Sequence, residues 1–286
     1  MIDLHLHTTA SDGAYSPEEL LLLASSVGVR TLSITDHDTM AAVPKASALA
    51  DSFGVELLAG IEITAVCDGH DIHILGYFLT VRPTGLDTFL AAQRRHRTDR
   101  LREMANRLTV LGVGVDIDRL LAERAAAGRS PGRPHLAEAL VAARHATSVQ
   151  EAFERWLGDG RAAWVPRHGP SPEQVIETIS RAGGVASLAH PGLTGNRRLV
   201  SRLAEVGLEA VEVYHGQHDL VTKKRLLKQA RSLGLAVTGG SDFHSDADHR
   251  SSHLGRVGLP VMELQGLRDR LTRADRRIET DQSDSE

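Results

Sequence analysis

Cysteine, aromatic residues and long apolar runs are scarce in this sequence, and each scarcity excludes a class of protein. With Cys67 as the single cysteine of 286 residues, an internal disulfide framework and a four-cysteine zinc site are both excluded. No stretch approaches the ~18 apolar residues of a membrane span. The start of the chain also lacks the basic and apolar segments of a signal peptide. We therefore expect a cytoplasmic protein that does not associate with membranes.

The composition also limits the core and the partners. Aromatic residues make up 3% and hydrophobic residues 41%, so a sizeable core must consist mostly of Leu, Val, Ala and Ile. The 33 basic and 37 acidic residues give a net charge of −4. This balance argues against a surface that coats nucleic acid, although it permits a local basic pocket. No segment indicates an obligate protein partner.

Several short apolar runs have the length of buried strands, and helical patterns separate most of them. They are Ile2–His7, Thr31–Thr35, Val55–Ile63, Val185–Ala189, Glu209–Tyr214 and Leu235–Gly239. This alternation is typical of βα units in a parallel sheet, and Asp68-Gly69 predicts a hairpin turn. Ser16 and Ser171 each precede a proline and a capping-box residue, which predicts a helix start at both places. We therefore expect an α/β protein built on a barrel.

The middle of the chain differs from both ends. From about Leu86 to Leu157 the pattern is helical, charged and rich in Ala and Leu, with a loop at Gly128–His135. We predict a discontinuous barrel domain over residues 1–85 and 160–274, and a helical insertion over 86–159 that forms a lid. The polar tail, residues 275–286, is expected to be disordered.

Fifteen histidines are a high count for this length, and several stand with carboxylates at the ends of predicted strands. His5 and His7 lie two apart on one strand, so their side chains leave the same face. The full set of candidates is His5, His7, Asp12, His37, Glu62, His73, His190, Asp242 and His244. All except His73 fall at or just after the C-terminal end of a strand. These ends converge in a closed barrel, on the face where such barrels place their active sites.

A single histidine is more often a surface or core residue than a metal ligand, but the joint pattern is hard to ascribe to chance. Buried polar groups without partners destabilise a fold. Imidazoles and carboxylates suit manganese, which we expect, or zinc, iron or cobalt. Nine ligands exceed the need of one ion, so we predict two or three divalent ions with Glu62 as a bridge. Asp36 and Asp38 flank His37 and are expected to orient imidazoles.

The motifs at these positions closely resemble those of the PHP (polymerase and histidinol phosphatase) family. The similarity lies in Met1–Gly13, Ile34–Thr39, Gly60–Thr64, His73–Tyr77, Ala189–Pro191 and Gly240–His244, in the family's order. The resemblance implies a distorted seven-stranded β/α barrel with a trinuclear metal centre. It also implies a metal-dependent phosphoric monoester hydrolase in which a metal-bound hydroxide attacks phosphorus.

The resemblance further implies how the nine catalytic residues share the ions, and no position departs from the family's pattern. The first ion would take His5, His7, Glu62 and Asp242, the second Asp12, His37 and His244, and the third Glu62, His73 and His190.

Within the family, the helical insertion and its Gly132–His135 sequence resemble the bacterial nucleoside 3′,5′-bisphosphate phosphatases. This resemblance implies removal of the 3′-phosphate, for example from adenosine 3′,5′-bisphosphate to give AMP. A bisphosphate needs a second anion site, for which Arg133 and His135 are the leading candidates. Arg197 and His215 are further candidates for substrate binding.

Other functions remain open at this point. The metal site could serve another phosphomonoesterase, such as a histidinol-phosphate phosphatase, or a 5′–3′ exonuclease on short RNA. In the second case Arg94–Arg97, with Arg100 and Arg102, would attract the RNA instead of forming a solvated helix face. A regulatory module with a silent metal site and an amidohydrolase are the remaining alternatives.

Overall fold

Seven β-strands, paired in chain order, form the sheet at the centre of the protein. A computed structural model describes residues 1–246 and 253–283, with side chains up to Arg277. The strands are β1 (Ile2–Leu6), β2 (Thr31–Ile34), β3 (Glu56–Cys67), β4 (His70–Phe78), β5 (Val185–Leu188), β6 (Ala210–His215) and β7 (Ala236–Gly240). Strand β4 runs antiparallel to both of its neighbours, whereas the other neighbouring strands are parallel.

The sheet curls until its first strand meets the residues that follow its last. The N–H of Asp242 donates to the carbonyl of His5 at 2.9 Å, and the N–H of His7 donates to the carbonyl of Phe243 at 3.1 Å. This approach requires the glycine at position 240, because a Cβ there would lie 2.4 Å from the Cβ of His5. The nearly closed barrel confirms the predicted fold class, a distorted seven-stranded α/β barrel.

Helices cover the outside of the barrel and fill the segment between β4 and β5. Those in the described residues are α1 (Pro17–Ser26), α2 (Val43–Ala50), α3 (Leu86–Val110), α4 (Ile117–Ala126), α5 (Arg133–Ala142), α6 (Val149–Ala152), α7 (Pro172–Arg181), α8 (Leu199–Ala204), α9 (Leu220–Ser232) and α10 (Val261–Ser283). Capping boxes at Ser16 and Ser171 confirm the two predicted helix starts. No helix in this part of the chain is both long and apolar enough to cross a membrane.

Helices α3–α6 form the helical segment between β4 and β5, and they pack around an apolar cluster of their own. The cluster includes Leu101, Met104, Leu108, Leu136, Leu140, Trp156 and Leu157. This segment also holds the loop after β1. The N–H of Ser130 donates to the carbonyl of Ala10 at 2.8 Å, and Arg124 donates to the carbonyls of Thr9 and Ser11. The domain boundaries and the role of a lid stay predictions.

The structure differs from the sequence prediction at the start of α5 and along β3. Helix α5 begins at Arg133, so the predicted loop ends earlier, because Nδ1 of His135 accepts the N–H of Gly132 at 3.0 Å and caps the first turn. Strand β3 continues beyond Ile63, where the predicted apolar run ends, to Cys67. There it pairs with β4, which confirms the hairpin predicted at Asp68-Gly69.

The end of the chain also differs from the prediction. Disorder was expected from about Asp275, whereas α10 continues through Ser283. Buried Leu264, Leu267, Leu271 and Ala274 recur at helical spacing and anchor this helix on the barrel. Residues 284–286 lie outside the described part of the chain.

Candidate metal centre and active site

The structure brings together all nine side chains that the sequence singled out. They come from six of the seven strands or from the loops directly after these strands, and six of the nine side chains are buried. His5 lies on β1, His7 and Asp12 follow it, His37 follows β2, Glu62 lies on β3, His73 on β4, His190 follows β5, and Asp242 and His244 follow β7. The barrel thus gathers into one cluster residues that are up to 239 positions apart.

Glu62 occupies the middle of this cluster. Five imidazole nitrogens lie within 3.4 Å of its two carboxylate oxygens: those of His73 (2.9 Å), His37 (3.1 Å), His7 (3.2 Å), His190 (3.3 Å) and His5 (3.4 Å). The side chain is 1% exposed. A single buried carboxylate therefore contacts histidines from all sides of the cluster, which is the arrangement that a bridging ligand needs.

Two aspartates extend the cluster on either side of His7. Asp242 Oδ1 lies 3.4 Å from His7 Nε2 and 3.5 Å from His5 Nε2. Asp12 lies 3.4 Å from His244 Nε2 and 3.9 Å from His37 Nε2.

The donor atoms fall into three overlapping groups that could each hold a cation. Within each group the ligand atoms lie within 4.8 Å of one another: His7, Asp12, His37 and His244; His5, His7 and Asp242; His37, Glu62 and His73. Five of the atoms are buried and make no hydrogen bond: His5 Nε2, His7 Nε2, Asp12 Oδ1, His37 Nδ1 and Glu62 Oε2. Such atoms are costly unless a partner satisfies them. These residues therefore fit divalent metal ions.

The electrostatics of the cluster keep Glu62 and Asp12 ionised. Burial alone would raise the pKa of Glu62, but the imidazoles of His37 and His73 outweigh burial and hold that pKa well below its usual range. Burial is also outweighed at Asp12, where His37 and His244 lower the pKa well below its usual range. Ionised carboxylates are the form that binds a metal ion.

The pKa values of His5 and His37 are shifted in opposite directions. Burial opposes protonation of His5, but the carboxylates of Glu212, Glu62 and Asp242 outweigh it and raise its pKa well above the ordinary value. At His37 burial prevails and lowers the pKa well below that value. The cluster therefore attracts a cation strongly, and a metal ion must displace a proton at His5.

Three residues of the site region have backbone conformations that are unusual for their type. Asp38, His190 and Asp242 have positive φ angles of 52°, 30° and 55°. Non-glycine residues in this region cost about 1–3 kcal/mol each and cluster at functional sites. The surrounding hydrogen bonds hold these turns, which aim the side chains after β2, β5 and β7.

The two aspartates beside His37 have partners other than those predicted. Asp36 accepts hydrogen bonds from Thr8 and Ser11, and its nearest link to an imidazole runs through Ser11 Oγ, 3.5 Å from His7 Nδ1. Asp38 accepts from the N–H of Thr64 and from Arg97. In the described residues neither carboxylate bonds an imidazole directly. That Asp36 orients His7 through Ser11 stays a prediction, and no such link is present for Asp38 in the same residues.

A further buried carboxylate, Glu212, escaped the sequence analysis. It lies on β6, fully buried, with Oε1 3.0 Å from Nδ1 of His5. The signal for it was a lone charged residue within the apolar run of a buried strand, Ala210–Tyr214, where an unpaired charge would be costly.

The four predicted substrate-binding residues lie at different distances from the cluster. His215 adjoins it, with Nε2 3.4 Å from Asp242 Oδ2. Arg133 contacts Asp159 at 2.6 Å, and the ring of His135 is used to cap α5. Arg197 is exposed, and its guanidinium makes no hydrogen bond or ion pair within the described residues.

Three arginines line a recess of about 210 Å³ beside the cluster, which we call the arginine recess: Arg100, Arg133 and Arg167. Its carboxylates are Asp159, paired with Arg133, and Asp71, which lies 3.3 Å from Arg167 and 3.9 Å from Arg100. With three arginines against two carboxylates the recess is net positive. Asp71 lies two residues before His73, so the recess adjoins the metal cluster.

The basic run on α3 is only partly a solvated face. Arg97 and Arg100 are 6% and 9% exposed. Arg97 donates to Asp38 and to Thr64, and Arg100 donates to the carbonyl of Val165 at 2.8 Å. The solvated-face interpretation is therefore wrong for these two arginines, because both lie on the buried face of α3.

Comparisons with known proteins agree with this geometry. Residues 3–154 match the family model described as PHP domain. The 5′-3′ exoribonuclease Rnm of Escherichia coli is 37% identical over 85% of this chain and 84% of its own. A 3′,5′-nucleoside bisphosphate phosphatase of Chromobacterium violaceum is 30% identical over 86% and 88%. A phosphoribosyl 1,2-cyclic phosphate 1,2-diphosphodiesterase of Eggerthella lenta is 31% identical over 88% and 97%.

A solved structure shares the whole fold. It is that of a Bifidobacterium adolescentis protein, whose assignment as a metal-dependent phosphoesterase is itself inferred. It has a TM-score of 0.84 and 31% identity, and the match covers 94% of this chain and 96% of that one. The family match spans more than half of the present chain and includes most of the cluster. The chain belongs to the PHP family and is a metal-dependent phosphoester hydrolase.

Proposed function

We propose that the protein removes the 3′-phosphate from nucleoside 3′,5′-bisphosphates, converting adenosine 3′,5′-bisphosphate to AMP. The observation that carries this proposal is the arginine recess beside the metal cluster. A bisphosphate places one phosphate at the reacting centre and the other several bonds away. A site for it therefore needs a second, cationic pocket at some distance from the metal ions.

The proposed centre holds two or three divalent ions, with manganese expected. His5, His7, Glu62 and Asp242 would hold one ion, Asp12, His37 and His244 a second, and Glu62, His73 and His190 a third. When bound, such ions polarise the phosphoryl oxygens and activate water. The orphaned buried donor atoms of the cluster support this assignment.

The arginine recess is suited to a second phosphate because its positive charges are crowded. Burial, followed by repulsion from Arg133, lowers the pKa of Arg100 to about 10. Burial, followed by repulsion from Arg97, lowers the pKa of Arg167 to about 9. Arg167 Nε is also buried without a hydrogen bond, although it lies 3.3 Å from the carboxylate of Asp71. A phosphate would relieve the repulsion and accept paired N–H donors from a guanidinium.

In the proposed reaction, the oxygen of water bonds to the 3′-phosphorus while the P–O3′ bond breaks. The 3′ oxygen leaves as a hydroxyl, inorganic phosphate is released, and the 5′-phosphate is retained. The recess orients the nucleotide by holding this 5′-phosphate, so that the 3′-phosphate lies at the cluster. His215 lies beside Asp242 and would contact the substrate at the barrel mouth.

The test compares adenosine 3′,5′-bisphosphate with 3′-AMP, which has the same scissile phosphate but lacks the second anion. We expect kcat/KM to be higher for the bisphosphate by about 10- to 100-fold, the worth of one charged hydrogen-bonding site. Arg133→Met and Arg167→Met should lower only the bisphosphate value, while exposed Arg161→Met serves as the matched control. Equal kcat/KM for the two substrates would refute the second anion site.

A 5′–3′ exonuclease on short RNA is the second candidate. With a 5′-phosphorylated RNA the same P–O3′ bond would break and the same recess would hold the 5′-phosphate, so the two reactions differ only in what the 3′-phosphoryl carries. A groove of about 480 Å³ beside α3 favours it, because Arg94, Arg95, Arg102 and Arg129 line this groove. The name of the Escherichia coli relative supports it as well. Faster hydrolysis of histidinol phosphate or a cyclic phosphodiester than of either nucleotide would discard both candidates.

A further inference from the structure

We propose that Glu212 is a positioning residue that fixes two of the proposed metal ligands, His5 and His190, in their metal-binding orientations. This inference rests on the proposed metal centre. Glu212 is not itself among the nine proposed ligands. It lies on β6 and is fully buried below the cluster.

Each oxygen of Glu212 serves a different ligand. Oε1 lies 3.0 Å from Nδ1 of His5, and Oε2 accepts the backbone N–H of His190 at 2.7 Å. His5 belongs to β1 and His190 follows β5, so one carboxylate joins residues 185 positions apart in the sequence. The link spans the interior of the barrel.

At His5 the contact determines which nitrogen is left for a metal ion. With Nδ1 engaged by Glu212, Nε2 is directed at the cluster, 3.4 Å from Glu62 and 3.5 Å from Asp242. Carboxylates that bond the far nitrogen of a ligand histidine fix its ring and tautomer and increase its basicity.

At His190 the contact acts on the backbone. The residue has φ 30°, in the left-handed region that side-chain-bearing residues rarely adopt. The hydrogen bond from its backbone N–H to Glu212 holds this turn and so orients the ring. Nε2 of the ring lies 3.3 Å from Oε1 of Glu62. Without this bond the turn could relax toward an ordinary backbone conformation, and the ring would leave the cluster.

Glu212→Gln distinguishes a residue that positions the metal ligands from a buried carboxylate that only stabilises the fold. Glutamine has the same shape, but its amide offers one acceptor oxygen and one donor nitrogen. Either Nδ1–H of His5 or the N–H of His190 would then face another donor. Ser187→Ala is the matched control, because Ser187 is equally buried in the barrel but bonds Thr238 at 2.8 Å and no ligand.

The experiment measures the dissociation constants of Mn(II) and Zn(II) for the full chain by chelator competition, together with urea unfolding of the metal-free proteins. We expect Glu212→Gln to weaken metal binding about 10- to 100-fold, with Ser187→Ala within twofold of wild type. Folded Glu212→Gln with wild-type metal affinity would overturn the inference. If the wild type itself binds no metal, the proposed metal centre fails instead.

Glu212→Asp covers the case in which the glutamine variant does not fold. It keeps the charge but shortens the reach by one methylene, so it should fold and bind metal more weakly than wild type. Wild-type metal affinity in this variant would overturn the inference. If neither variant folds without metal, Glu212 is required for folding, and this result would overturn the positioning role.

Discussion

Nε2 of His7 and Oε2 of Glu62 lie 3.2 Å apart, and both atoms are buried without a hydrogen bond. Two atoms that bind one ion at ~2.1 Å with tetrahedral angles are separated by roughly 3.4 Å. The spacing in the structure therefore matches ligands of a shared ion. The first prediction follows from this pair, because an ion would satisfy both atoms at once.

Removal of metal should destabilise the fold. Ions that bind only the folded state stabilise it by mass action, about 2.7 kcal/mol at a hundredfold excess over the dissociation constant. We expect chelator-treated protein to have a lower melting temperature, and added Mn(II) or Zn(II) to raise it in a concentration-dependent way. Differential scanning calorimetry measures this shift. A melting temperature that is independent of both ions would contradict the metal assignment.

Arg97→Met should destabilise the protein by up to about 3–5 kcal/mol, because it removes the hydrogen-bonded partner of the buried Asp38 and leaves the more distant Arg167, at 3.9 Å. Asp38 is 0% exposed and accepts from Nε of Arg97. Urea unfolding of the metal-free protein measures the loss. Combining it with Asp38→Asn should recover part of this free energy, whereas Arg95→Met on the exposed face should cost little. If Arg97→Met and Arg95→Met lose equal free energy of unfolding, burial of the Arg97–Asp38 ion pair is unimportant for stability.

His135 should make stability depend on pH. Burial, followed by repulsion from Arg124, lowers its pKa to about 4 in the folded protein, against 6.5 ordinarily. The unfolded chain therefore takes up a proton first, and the folded state loses up to about 3 kcal/mol as the pH falls from 6.5 to 4. His135→Gln keeps an acceptor for capping α5 but cannot titrate. The stability of this variant should fall less over the same range; parallel pH profiles would refute the assignment.

Helices and strands could be predicted from the sequence where residues close in the chain determine the structure. Ser16 and Ser171 begin helices as predicted, because their capping boxes need no tertiary contact. The histidines at strand ends were also informative, since parallel strands must converge on one face. Sequence spacing alone could not determine which residues of α3 face inward, and Arg97 and Arg100 were therefore misread.

Other parts of the site depend on contacts between distant segments. Arg167 follows the helical segment and reaches Asp71 on β4, and no local pattern links these two positions. Glu212 is recognisable only as a charge on a buried strand, and its partner depends on how far the barrel closes. For the tail, the polar residues after Asp275 predicted disorder. The helix there begins upstream, where buried residues such as Leu267 and Leu271 hold it on the barrel.

The groove beside α3 should matter for RNA and not for a mononucleotide. We expect Arg95→Glu with Arg129→Glu to weaken binding of a fluorescent short RNA and to reduce its salt dependence by about 0.7 per lost phosphate contact. Hydrolysis of adenosine 3′,5′-bisphosphate should stay unchanged. Lys224→Glu with Lys228→Glu, both exposed on α9, is the matched control. If the two double variants weaken RNA binding equally, the groove has no specific role.

The central claim is that this cluster removes the 3′-phosphate from a nucleoside 3′,5′-bisphosphate. The most direct measurement follows phosphate release from adenosine 3′,5′-bisphosphate by metal-loaded wild type and Asp242→Ala, with the nucleotide product identified by chromatography. We predict one phosphate per substrate, 5′-AMP as the product, and loss of turnover in Asp242→Ala and in excess chelator. Release of 3′-AMP, or wild-type turnover by Asp242→Ala, would contradict the account.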